Sequence, residues 1–254
     1  MRLLAVAANT FRETVRERVL YNLVFFALLM TVSGLLLGQL SIRQDEKILK
    51  DVGLAAMDLF GTAIAILIGV GLVIKEIERR SLYPLLAKPL SRGEFFLGKF
   101  AGLAFTLLVN LALMTAGLYL TLLATDHHTD WHLLEAIYPL FLGLLLVVAF
   151  AMLFSTVSSS SALAAVLTVA VVIVGRFADV IRGMREVLPG VPGWAAGGLF
   201  SVLPNLRNFD FKDKVAYGEA VPASVLLSVT LYALAYGGVV LAIGYVAFRR
   251  RDFR

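Results

Sequence analysis

Histidine and carboxylate side chains are concentrated in one short stretch of the chain, residues 126–132, which reads DHHTDWH. All three histidines of the protein, His127, His128 and His132, lie in it. Imidazole and carboxylate groups are common ligands of zinc and copper, so a stretch this dense could hold a metal ion. A short hydrated turn has the same composition, and this is the interpretation we favour. We therefore predict neither a metal site nor a cofactor.

Two other patterns resemble catalytic motifs. Residues 93–100 have the G-x-x-x-x-G-K spacing of a phosphate-binding loop, but Phe100 stands where such a loop needs a Ser or Thr for Mg²⁺. The serines of residues 158–161 have no histidine on their side of the membrane in the topology predicted below. The chain has no cysteine, which excludes disulfides, thiolate metal sites and a Cys nucleophile. We expect that the chain is not an enzyme and does not hydrolyse ATP alone.

Long apolar segments surround these patterns. The chain has 254 residues, of which 59% are hydrophobic and only 16% charged, and its mean hydropathy is +0.86. This composition is typical of a polytopic membrane protein. The net charge of +5 comes from basic residues near the ends of the apolar segments. Membrane topology and anionic lipid headgroups account for them, so we predict membrane lipids and no nucleic acid as partners.

The apolar pattern predicts a single all-α transmembrane domain over residues 1–254, with six spans. The predicted spans cover about residues 19–38, 53–74, 100–123, 138–154, 162–178 and 223–248. Apolar and charged residues alternate over residues 1–18 as in an amphipathic helix, which we place on the membrane surface. Residues 179–222, between spans five and six, contain four of the seven prolines. That composition predicts interfacial or re-entrant helices.

Two ionisable residues lie close to the predicted spans. Asp58 is near the outer end of span two and Arg176 is near the outer end of span five. An acid inside a span is a candidate functional residue, but so near the interface we expect Asp58 to be hydrated. We expect Arg176 to extend toward the headgroups.

Basic residues set the predicted orientation. Of the 23 Lys and Arg residues, 14 lie in residues 1–18, 75–99 and 249–254, which six spans place on one side. Short loops rich in Lys and Arg stay on the cytoplasmic side, so both termini are predicted to be cytosolic.

The loop of residues 75–99 combines basic and apolar side chains. Leu82, Leu85 and Leu86 have the i, i+3, i+4 spacing that places them on one face of a short helix. Ser81 can cap the start of that helix, and Pro89 ends it. Because the loop is predicted to be cytosolic, an apolar face there indicates a protein partner. The S-x-x-E spacing that begins at Ser91 predicts a capping box at the start of the next span.

This loop and the basic C-terminal tail, residues 248–253, which read FRRRDF, resemble those of ABC-2 type permeases, the membrane subunits of ABC exporters. The resemblance implies a coupling helix that docks on a separate ATPase subunit, present in two copies, and a second permease copy or a related permease. The residues that it assigns to ATPase coupling are Glu78, Arg79, Arg80, Ser81, Leu82, Leu85, Leu86, Pro89, Leu90, Ser91 and Arg92. It also implies the cytoplasmic (inner) membrane of a prokaryote as the location.

Several functions therefore stay open at this point. The leading expectation is an exporter permease whose substrate the sequence does not reveal. A variant within the family transmits ATPase motion to periplasmic proteins, as in the maturation of metalloenzymes. A secondary transporter would need an intramembrane relay, for which only Asp58 and Arg176 come near. A membrane metalloenzyme would need His127, His128 and His132.

Overall fold

The computed structural model of the protein describes residues 2–14, 25–30, 32–33, 45–78, 91–125, 130–178 and 204–250. Over these residues the chain is helical and contains no strand. Its helices are α1 (Arg2–Thr14), α2 (Asp45–Glu78), α3 (Arg92–Ala124), α4 (Leu133–Val157), α5 (Ser161–Arg176), α6 (Lys212–Ala216) and α7 (Ala223–Arg250), with a 3-10 turn at Leu206–Phe209. Residues 25–30 are also helical.

Four of these helices, α2, α3, α4 and α7, are long and apolar enough to cross a membrane. The apolar helix α5 has 16 residues, a length of about 24 Å at 1.5 Å per residue. The all-α, polytopic class predicted from composition is confirmed. The six-span count stays a prediction, because the first predicted span, residues 19–38, lies mostly outside the described residues.

The helices form a bundle whose two ends we term the Asp130 end and the Arg92 end. Helices α2, α4 and α7 run from the Asp130 end to the Arg92 end, and α3 and α5 run the opposite way. Helix α4 is the most enclosed of the four long helices and packs against α2 on one side and α7 on another. It is therefore the centre of the described bundle.

Close approach of α2 to α4 depends on a glycine. A Cβ atom on Gly69 would lie 2.5 Å from the Cβ atom of Ala151, closer than two carbon atoms can approach. Because lipid chains are as apolar as the helix surfaces, helices in membranes gain stability mainly from this kind of tight packing. Gly69 thus lets the two helices come into direct contact near the Arg92 end.

The amphipathic segment predicted at residues 1–18 forms helix α1 over Arg2–Thr14, and residues 15–18 lie outside the described part. The helix packs along the first half of α3, where a Cβ atom on Gly102 would lie 2.7 Å from the backbone oxygen of Ala7. Thr10 and Thr14 are buried in this contact, and Leu4 is exposed on another face. The placement of α1 on the membrane surface stays a prediction.

Two helices begin earlier than the apolar segments do. Helix α2 begins at Asp45, eight residues before the predicted span of residues 53–74, and α3 begins at Arg92, next to the predicted capping box at Ser91 and before the predicted span of residues 100–123. Polar residues can extend a helix beyond the membrane where they find partners, and buried Lys50 does so with Asp130 and Glu46. The predicted span boundaries followed hydropathy, whereas α3 begins where Ser91 caps its backbone.

Residues 204–222 cover the bundle at its Asp130 end. The 3-10 turn and α6 pack against α2, α4 and α5, and buried Phe209 lies against Gly143 of α4. Residues 179–203 lie outside the described part, so the predicted re-entrant helix between spans five and six stays a prediction.

We expect Gly69→Ala to lower the unfolding midpoint of the protein in detergent. The added methyl group overlaps Ala151, and overpacking of this kind costs about 1–3 kcal/mol, more than the gain of up to about 1 kcal/mol in helix propensity. Gly238→Ala is the matched control, because a Cβ atom there meets nothing within 4 Å. Equal midpoints for the two variants would contradict the packing described here.

Candidate functional site

A cluster of charged side chains joins three distant parts of the chain at the Asp130 end. Arg176, the last residue of α5, donates from Nη1 to Oδ2 of Asp58 at 2.8 Å and from Nη2 to Oδ1 at 2.7 Å. Lys212 of α6 donates from Nζ to Oδ2 of the same carboxylate at 3.0 Å. Arg176 Nη2 also donates to Oγ1 of Thr62, one turn further along α2, at 2.8 Å. We term Asp58, Thr62, Arg176 and Lys212 the Asp58 cluster.

The cluster is partly shielded from its surroundings. The side chains of Asp58 and Lys212 are each 18% exposed, and that of Arg176 is 39% exposed. Burial works against the charge of Lys212, but the charge of Asp58 and the hydrogen bond to it outweigh burial and raise the pKa of Lys212 above its ordinary value. Lys212 is therefore a cation at neutral pH. A bidentate pair between arginine and a carboxylate is also among the stronger polar contacts in proteins.

A cavity of about 110 Å³ lies beside the Asp58 cluster. All four cluster residues line it, together with Arg207 and Asp210 from the segment before α6. The remaining wall is apolar and consists of Ala136, Leu140, Gly143, Leu144, Val147, Leu206 and Phe209. The cavity thus has one ionic wall and one hydrocarbon wall.

The sequence alone did not reveal that these residues form one site. It predicted a hydrated Asp58 and an Arg176 directed to the headgroups, and it gave Lys212 no role. The structure corrects both expectations, because Arg176 and Asp58 bind each other instead. A usable signal was present, because ionisable residues inside membrane segments tend to pair with one another, and these two lie at matching depth near the outer ends of predicted spans two and five. Lys212 carried no such signal, because it lies between the spans.

A second polar network lies at the outer rim of the Asp130 end. Lys50 of α2 donates to Oδ2 of Asp130 at 2.9 Å, and Tyr119 of α3 donates to the backbone oxygen of Asp130 at 2.9 Å. The amide of His132 donates to Oδ1 of Asp130 at 3.0 Å. Burial alone would raise the pKa of Asp130, but the Lys50 and His132 hydrogen bonds outweigh it and hold that pKa below its ordinary value. The network fixes the residues just before α4 onto α2 and α3.

His132 belongs to this rim. Its Nδ1 lies 3.0 Å from Oε1 of Glu135, whose other oxygen accepts a hydrogen bond from the amide of Val221 at 2.7 Å. No group of three or more potential metal ligands occurs among the described residues. His127 and His128 lie outside them, so the hydrated-turn interpretation stays a prediction.

The opposite, Arg92 end contains the predicted capping box. The amide of Glu94 donates to Oγ of Ser91 at 3.1 Å, and the amide of Ser91 donates to Oε2 of Glu94 at 3.0 Å. This confirms the capping box that the sequence predicts. Arg92 Nη1 donates to the backbone oxygen of Arg249 at 2.8 Å, and the Phe95 ring stacks on that of Phe248. The start of α3 is therefore fixed to the end of α7.

Comparison with known families decides the class of protein. A family profile described as ABC-2 family transporter protein matches residues 4–183. The chain belongs to the ABC-2 transporter family. A search among curated proteins finds no match. The family match confirms the resemblance seen in the sequence, and it includes Asp58 and Arg176 but ends before Lys212.

As an ABC-2 family member, the chain is a multi-pass membrane protein of the permease type. Membership implies association with an ABC ATPase. Of the residues assigned to ATPase coupling, the structure describes only Glu78, the last residue of α2, together with Ser91 and Arg92. The others, Arg79, Arg80, Ser81, Leu82, Leu85, Leu86, Pro89 and Leu90, lie outside the described residues. The coupling helix in this ABC-2 protein therefore stays a prediction.

We expect Arg176→Gln and Asp58→Asn each to destabilise the ABC-2 protein by about 1.5–3 kcal/mol, since each breaks charged hydrogen bonds. The double variant should cost less than the sum of the two, because each single change already breaks the two hydrogen bonds between Arg176 and Asp58. Thermal unfolding in detergent measures all three. Lys214→Gln, an exposed cation on α6, is the control and should change stability by less than about 0.5 kcal/mol. Additive effects in the double variant would show that Asp58 and Arg176 do not interact.

The low pKa of Asp130 predicts a pH dependence. Its carboxylate stabilises the folded state at pH above its ordinary pKa of 3.8, and this contribution is lost as the pH falls through the lower folded-state pKa. Asp130→Asn should thus be less stable than the wild type at pH 7, and the difference should shrink below about pH 4. Unfolding midpoints between pH 7 and pH 3 test this. A difference that stays constant with pH would argue against the ion pair.

Proposed function

We propose that this chain is the permease subunit of an ABC-2 type exporter in the cytoplasmic membrane of a prokaryote. In this proposal it moves a substrate with energy from ATP hydrolysed by a separate ATPase subunit. The observation that carries the proposal is the family match over residues 4–183. Two ATPase subunits and a second permease copy, identical or related, complete the proposed complex.

The proposal gives the chain itself no ATPase activity. The G-x-x-x-x-G-K pattern at residues 93–99 lies within the first turns of α3, where the backbone is helical and not an open phosphate-binding loop. Phe95 and Phe96 within it are buried side chains of the hydrophobic core. The ATP chemistry therefore belongs to the partner.

The two ends of the proposed coupling loop continue into long helices. Helix α2 has 34 residues and ends at Glu78, and α3 has 33 residues and begins at Arg92. Asp58 lies 20 residues before Glu78 on α2, which is about 30 Å at 1.5 Å per residue. A rigid displacement of the loop by the ATPases would thus reach the Asp58 cluster along one continuous helix.

The C-terminal helix α7 would move with the same loop. Arg92 is bonded to the backbone oxygen of Arg249, and Phe96 lies against Phe248 with ring centres 5.7 Å apart. A force applied at the start of α3 would therefore be shared with α7. In the proposed topology this end faces the cytosol, together with both termini.

Replacement of Leu85 and Leu86 by Asp tests the coupling role. If these leucines fill an apolar groove of the ATPase, each contributes about 1.5–3 kcal/mol when fully buried, and the double variant should no longer copurify with the ATPase. Insertion into the membrane should be unaffected, since both residues lie outside the apolar spans. The measurement is copurification from detergent, together with ATP hydrolysis by the complex.

Arg92→Ala is the matched control in the same loop. Because Arg92 is on the exposed rim of the described structure, its loss should weaken ATPase association only slightly, by about 0–1 kcal/mol. Full association and full ATP hydrolysis in the Leu85→Asp, Leu86→Asp variant would show that the loop does not couple the permease to the ATPase.

A further inference from the structure

The cavity beside the Asp58 cluster has room for more than the side chains that line it. Its volume is about 110 Å³, while an apolar cavity of about 150 Å³ in another protein admits benzene. A site of this size accepts a carboxylate or a phosphate group, or the head of a larger molecule. Its two walls differ in chemistry, because the Asp58 cluster forms one side and apolar residues of α4 such as Leu140 and Leu144 form the other.

Among the described residues, positive charge exceeds negative charge at the centre of the Asp58 cluster, with Arg176 and Lys212 around Asp58. Of the residues that the structure describes, Asp58 is the one carboxylate bonded to both Arg176 and Lys212. The other nearby carboxylate, Asp210, lies 3.5 Å from Lys212 and has a side chain 45% exposed, so solvent screens much of its charge. A partly buried pair of cations that share one carboxylate produces a local positive potential, which attracts an anion.

Arg176 also keeps hydrogen-bonding capacity. It donates three hydrogen bonds, two to Asp58 and one to Thr62, whereas a guanidinium group has five N–H donors. Its two other N–H groups have no partner in the part of the chain that the structure describes. Because Arg176 lines the cavity, an oxyanion there could accept from it while Lys212 supplies a second charge.

From these observations we infer that the cavity is a binding site for an oxyanion, a carboxylate or phosphate group, held by Arg176 and Lys212 with the apolar wall contacting any attached chain. When the site is empty, Asp58 holds the two cations in place. When an oxyanion binds, Asp58 competes with it for Arg176 and Lys212. Binding of the oxyanion involves the permease chain alone, so failure of this binding test is distinct from failure of the proposed ATPase coupling.

The test is equilibrium binding by calorimetry to the purified chain in phosphatidylcholine nanodiscs. Dodecyl phosphate is the amphiphilic probe, inorganic phosphate is the free anion, and dodecanol is the neutral probe with the same chain. We expect at least one phosphate probe to bind saturably and dodecanol to bind about tenfold more weakly. This difference in affinity corresponds to the loss of one charge-assisted hydrogen bond. If inorganic phosphate binds as well as dodecyl phosphate, the ligand is a free anion. If only dodecyl phosphate binds, it is an amphiphile headgroup.

Variants distinguish two roles of the Asp58 cluster, a binding site for an anion and an ion pair that only stabilises the fold. Lys212→Gln should weaken binding of the phosphate probe about tenfold, and Lys214→Gln, an exposed cation two residues away on the same short helix, should leave it unchanged. Asp58→Asn should bind the probe more tightly than the wild type, because it removes the competing carboxylate. Circular dichroism and unfolding midpoints verify that each variant is folded.

The opposite results overturn the inference. It fails if dodecanol binds as tightly as dodecyl phosphate, if Lys212→Gln and Lys214→Gln have equal affinity, or if neither phosphate probe binds to the wild type or to Asp58→Asn. Weaker binding of the phosphate probe in Asp58→Asn than in the wild type would show that Asp58 does not compete with an anion for Arg176 and Lys212, which also contradicts the inference.

Discussion

A carboxylate inside an apolar bundle must be neutralised, and the Asp130 end of this protein is arranged around the way Asp58 achieves this. Removal of a charge from water costs several kcal/mol, which is recovered only with well-placed opposite charges and hydrogen bonds. Arg176 and Lys212 supply both from separate elements. To do so, α5 must end beside α2, and the chain before α7 must fold back over the bundle. One electrostatic requirement thus fixes three elements relative to one another.

The rest of the bundle is stabilised by close packing of apolar helices. Helix α4 is apolar on nearly all sides and occupies the centre, and its neighbours approach it closely where Gly69 of α2 and Gly237 of α7 face it. On α7 only a narrow stripe is buried, and large apolar side chains such as Leu231 and Leu234 remain exposed. In a membrane such faces meet lipid or another protein chain. Helix α4 is also the more apolar of the two, which fits its central position in the bundle.

The two ends of the bundle carry different chemistry, and α2 connects them. The Arg92 end has the loop proposed to receive the ATPase, together with the contacts that fix α3 to α7. The Asp130 end has the ionic cluster and its cavity. Helix α2 runs without a proline from Asp45 to Glu78, so in the proposed function a displacement at one end would reach the other along one continuous helix. Motion that separates Asp58 from Arg176 would leave the charge of Arg176 less neutralised beside the cavity. In this way the proposed ATPase coupling would act on the inferred anion site.

The sequence by itself determined the class of this protein and several local features. Apolar segments of sufficient length predict membrane helices because backbone polar groups in lipid must bond within the segment. The capping box at Ser91 depends only on residues three apart, and the loop motif identified the ABC-2 family, as the profile match confirms. Only the tertiary structure decided the partners of Asp58, the extension of α2 back to Asp45 and the packing of α1 on α3. Each of these depends on residues far apart along the chain, such as Asp58 and Lys212, whose meeting is set by helix packing that hydropathy and spacing do not encode.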